Sequence, residues 1–162
     1  MCVGRLRQIC LLICRIMIYT MTARKLSGYN PMKQERNGVM EYREGEVYQV
    51  LERIIKNAGV TIRYTAVHDD SIDGPIWARS DIESMSILMP DDGEAFPDEG
   101  TACRILGHEM GHIMTGLKSV DYDPAIREIN ERACDLIGSY LYRLAELTYE
   151  NDCAEAFRRA RL

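Results

Sequence analysis

His108-Glu109-Met110-Gly111-His112 is the stretch that most constrains what this 162-residue chain can fold into. Two histidines four residues apart leave the same face of an α-helix, so both imidazoles can reach one cation. On a strand the same spacing would hold them about 13 Å apart. The pentapeptide therefore predicts a helix, packed against something that completes the coordination. Glu109 follows His108 directly, which puts its carboxylate in reach of a water at such a site as a general base. The plain alternative is a pair of hydrogen-bonded helix residues with no metal.

A catalytic zinc site usually takes three protein ligands and leaves a fourth position open. His68 is the sole other histidine, so a third ligand is sought among carboxylates. The following helical stretch offers Glu128, Glu131 and Asp135. Glu131 is the first candidate and Glu128 its competitor. Asp135, one turn beyond Glu131 on the same face, is suited to accept a hydrogen bond from a ligand histidine and so fix its ring.

The elements around the motif read as α+β. Val47, Val50, Leu51, Ile54 and Ile55 follow helical spacing from Glu41 to Lys56, with Asn57-Ala58-Gly59 as the stop. Alternation through 60–67 predicts a half-buried strand. Two shorter strands are expected at 76–79 and 85–89, joined by 80–84, and then an acidic loop over 90–100. The motif helix is expected from Asp98 or Thr101 to Thr115, closed by Gly116. A third helix opens at Pro124 and runs through Leu144, with a break expected at Asn151-Asp152.

Charge divides the chain in two. Residues 1–36 hold seven Lys/Arg against Glu35 alone, while the remainder holds 13 basic and 24 acidic residues. The net charge of −5 argues against direct nucleic-acid binding. Residues 1–40 read as an extension and linker, and 41–162 as the domain. Ile9 to Tyr19 is apolar but broken by Arg15, and falls short of the roughly 20 residues of a spanning helix. It reads as a docked helix, an early start of the reading frame, or a membrane anchor or signal segment. The six cysteines show no disulfide framework, which favours a reducing, cytoplasmic setting. Cys103 and Cys134 read as packing residues.

With Glu131-Arg132-Ala133-Cys134-Asp135 following the His-Glu-x-x-His segment, the chain resembles zincin peptidases with a glutamate third ligand. It is most similar to the ImmA/IrrE group, across about residues 42–145. Cys134 stands where that group usually has Ala, and Leu136-Ile137-Gly138 replaces its more typical aromatic-alanine ending. The resemblance implies a minimal zincin fold, one zinc ion held by His108, His112 and Glu131, and Glu109 as general base. It also implies hydrolysis of peptide bonds in an intracellular regulatory protein such as a repressor. Candidate donors to the oxyanion are Tyr122, Tyr140, Tyr142, Arg127 and His68. Strand 85–89 is a candidate to pair with an extended substrate. Two rival readings are a regulatory binding module that keeps the zincin shell with little turnover, and a membrane-tethered peptidase.

Overall fold

The computed structural model describes residues 42–65, 78–92, 95–116 and 123–160. The fold is α+β. A 3₁₀ turn (Tyr42–Glu44) leads into α1 (Glu46–Asn57), followed by β1 (Thr61–Thr65), β2 (Arg79–Asp81), β3 (Ser86–Pro90), α2 (Glu99–Thr115) and α3 (Pro124–Arg159). The extension 1–40, His68, Tyr122 and most of the segment between β1 and β2 lie outside the described residues.

Helix α1 buries Tyr48, Val50, Leu51, Ile54 and Ile55. It ends because Gly59 takes φ 92°, a conformation that glycine adopts without a Cβ penalty. Its N-cap, Gly45, has no side chain to satisfy the first amides. Glu99 at the start of α2 does so instead, accepting from the Tyr48 N–H at 2.7 Å. The two helices are thus locked at one corner.

The sheet order is β1-β3-β2, with β1 parallel and β2 antiparallel to β3. β3 is therefore central, flanked on both edges, and cannot accept a substrate strand as the sequence had suggested. Its central place explains its burial: Ile87 and Met89 are almost wholly enclosed, within a core that includes Ile62, Leu51, Ile55, Leu106 and Met110. The short strand expected at 76–79 is instead Arg79–Asp81. Asp81 closes the following turn by accepting from the Glu83 and Ser84 amides.

Two further boundaries move. The expected acidic loop is not wholly solvated. Pro90 belongs to β3, Phe96 is buried edge-on against Tyr42 at 4.9 Å, and Asp98 caps α2 by accepting from Thr101 N–H at 2.6 Å. Helix α3 does not break at Asn151-Asp152 but continues for 36 residues to Arg159. Asn and Asp cost a helix interior only tenths of a kcal/mol, and tertiary ties offset this. Asp152 accepts from Arg53 at 3.0 Å, and Tyr149 donates to Glu46, both on α1. Cys103 and Cys134 are buried and unpaired, as packing residues would be. Among the described residues no helix is long and apolar enough to cross a membrane.

Candidate metal centre

The site is made by how closely α2 and α3 approach. Gly107 and Gly111, four apart, lie on one face of α2. Cys134 and Gly138, four apart, lie on the facing side of α3. A Cβ built on Gly107 would stand 2.8 Å from Gly138 Cα, and one on Gly111 would stand 2.8 Å from Cys134 Cα. Reciprocally, a Cβ on Gly138 would stand 2.8 Å from the His108 backbone nitrogen. All three are shorter than ordinary carbon contacts, so the helices touch backbone to backbone. That approach brings the short Glu131 side chain to both histidines.

His108 Nε2 and His112 Nε2 are 3.1 Å apart. Glu131 Oε2 stands 3.2 Å from the first and 3.6 Å from the second. Donor atoms about 2.0–2.2 Å from one tetrahedral ion stand roughly 3.3–3.6 Å from one another. The observed edges lie within about 0.2 Å of that spacing, and the three ligand atoms form a group able to hold a metal ion. Two imidazoles and one carboxylate are a donor set suited to zinc.

The far side of each imidazole is also engaged. Asp135 Oδ1 lies 2.7 Å from His108 Nδ1. With Nδ1–H donating to that carboxylate, Nε2 keeps its lone pair facing Glu131. His112 Nδ1 meets Cys134 Sγ and the Asn130 side-chain amide, each at 3.4 Å. Asn130 is only 3% exposed. Its amide, turned by half a rotation, presents an oxygen acceptor to the ring. Burial, reinforced by the Glu131 carboxylate, pushes the Cys134 thiol up to about 12. The sulfur is therefore a neutral neighbour of His112 rather than a thiolate.

Glu109 is half-buried, and among the described residues no hydrogen bond or ion pair ties its carboxylate. The competitor Glu128 is exposed and engaged by Arg132 at 2.5 Å, away from the histidines. Of the oxyanion candidates, Arg127 lies one turn before Glu131 on α3, and its guanidinium has no partner among the described residues. Tyr142 packs instead beside Arg104 and Gly100, two turns along α2 from His108. Tyr140 points outward and is 83% exposed. Neither tyrosine is brought to the histidine–glutamate cluster.

Asn130 was missed from sequence. Its signal was periodicity: Asn130, Cys134, Gly138, Leu141 and Ala145 recur at helical spacing as the buried side of α3. The paired small residues four apart on both helices were a second unread signal.

Comparison with protein families, with curated proteins and with solved structures gives no match to this chain.

Proposed function

We propose that the chain is a zinc-dependent endopeptidase of the ImmA/IrrE kind its motifs resemble, acting on a regulatory protein such as a repressor. The observation that carries this reading is the convergence of His108 Nε2, His112 Nε2 and Glu131 Oε2 within 4.8 Å of one another. His108, His112 and Glu131 would hold the ion. A zinc ion at such a site lowers the pKa of water and polarises a carbonyl oxygen.

The remaining roles belong to the protein's own groups. Glu109, unpaired among the described residues and next to His108, takes the proton of the attacking water and delivers it to the amine nitrogen as the C–N bond breaks. Asp135 holds His108 in the tautomer that offers Nε2, and Asn130 with Cys134 encloses the other imidazole. Arg127, one turn before Glu131 on α3, is the donor we assign to the oxygen that gains negative charge.

Hydrolysis of an unstructured protein such as casein by the zinc-loaded protein, against its Glu109→Gln variant, tests the reading. The wild type is expected to cleave, with a chelator abolishing cleavage. Glu109→Gln is expected to lose at least a hundredfold in rate with zinc still bound, in line with general-base contributions of about 10²–10⁴. Equal rates in the two proteins would remove Glu109 from the chemistry.

A further inference from the structure

Helix α3 carries a second surface that the metal site does not use. Ile126, Ile129, Leu136 and Tyr140 are 45%, 68%, 71% and 83% exposed, with Ala133 between them. Their spacing alternates three and four residues, so they form one apolar stripe along the helix. No charged residue interrupts it from Ile126 to Tyr140, and at its margin Arg132 is neutralised by Glu128 at 2.5 Å. Glu131 and Asp135 lie two residues either side of Ala133, about 160° round the helix. The stripe and the metal ligands thus occupy opposite sides of α3.

The order of side chains in the stripe identifies its occupant. Reversed about Ala133, the stripe meets itself to within one residue: Ile126 falls opposite Tyr140, Ala133 opposite Ala133, and Ile129, four residues before the centre, meets Leu136, three after it, with an offset of about 1.5 Å along the helix. Large residues oppose large ones at the ends, and the smallest side chain lies where two helices would cross most closely. That is the requirement of an isologous two-fold contact. At these exposures the four large side chains offer about 500 Å² per copy, so a pair would bury about 1,000 Å², near the lower bound of a specific interface. A contiguous patch of this size is in the range of the largest that single proteins carry, and such patches are often functional. We infer that two copies of this chain associate through antiparallel packing of their α3 stripes, centred on Ala133, leaving both metal sites open to the outside.

Light scattering on the purified full-length chain at micromolar concentrations tests this. The expected mass is twice the 18.5 kDa of one chain. Ile129→Glu and Leu136→Glu are each expected to halve it, with helical circular dichroism and metal content unchanged. Ala133→Cys is expected to give, on mild oxidation, a disulfide-linked peptide pair joining position 133 to position 133 of the other copy. That cross-link keeps the proposal testable where a charged variant fails to fold. A chain beginning at Met40 is expected to stay dimeric. A monomeric wild type would overturn the inference. So would a dimer that survives both charged substitutions, or the absence of the 133–133 cross-link. Loss of dimer in the chain beginning at Met40 would overturn it too, by assigning the contact to residues 1–39.

Discussion

Asp135 Oδ1 accepts from His108 Nδ1 at 2.7 Å, and this one contact decides which imidazole nitrogen faces Glu131. The carboxylate sits one turn after Glu131, so the helix that supplies a candidate ligand also orients its partner across the interface. Asp135→Ala is expected to weaken zinc binding about 10–100-fold, the usual cost of losing such a support. Asp135→Asn, which keeps an acceptor, is expected to lose less. Competition against a chromophoric chelator measures both.

The glycine contacts make a separate prediction. Gly107→Ala and Gly138→Ala each place a methyl group against facing backbone, and the neighbours on α2 and α3 have no flexible side chain to move aside. Overpacking of this kind costs about 1–3 kcal/mol. Because the separation of α2 and α3 sets the Glu131-to-histidine distances, zinc affinity is expected to fall together with stability. Gly116→Ala is the control. Nothing lies within 4 Å of its Cβ position, but its φ of 66° penalises a side chain by about 1–2 kcal/mol. It is expected to lower stability, with smaller effect on zinc. Urea unfolding with parallel chelator titration separates the two effects.

Asp98 gives the pH dependence a sign. Hydrogen bonds from the Thr101 backbone and hydroxyl hold its carboxyl below the ordinary 3.8. A group depressed on folding stabilises fully above its unfolded value, and that contribution is lost as pH falls through the lower folded value. Asp98→Ala is therefore expected to be less stable than wild type at neutral pH. The gap is expected to narrow only as pH drops below about 4. Thermal unfolding of the metal-free proteins at a series of pH values reads this. A gap that already closes between pH 7 and pH 5 would contradict the capping role.

Arg127 makes the fourth prediction. If its guanidinium meets the developing oxyanion, Arg127→Ala is expected to lower kcat by about 10²–10³ with zinc content unchanged. Tyr142→Phe, on α3 beside the first turns of α2, is expected to leave kcat as it is. Steady-state kinetics on a peptide substrate distinguishes them, and a reversed ranking would reassign the donor.

Local signals in the sequence were faithful where local chemistry decides. Asp98 and Gly116 bound α2 because a capping carboxylate and a left-handed glycine act within one turn. His108, His112, Glu131 and Asp135 were legible for the same reason, since spacing of four on a helix is itself geometry. What could not be read depends on distant partners. The central place of β3 is decided by pairing with β1 and β2, which no periodicity within 85–89 encodes. The continuation of α3 past Asn151-Asp152 depends on Arg53 and Glu46, about a hundred residues earlier. Asn130 was passed over because an amide has no ligand signature, although its place on the buried side of α3 was available from spacing.

Metal content of purified wild type beside Glu131→Ala is the most direct test of the account. Mass spectrometry of the dialysed proteins is expected to find close to one zinc per wild-type chain and a small fraction of that in the variant, with both folded by circular dichroism. Stoichiometric zinc surviving unchanged in Glu131→Ala would remove that carboxylate from the ligand set, and a wild type that binds no divalent ion would contradict the hydrolytic reading altogether.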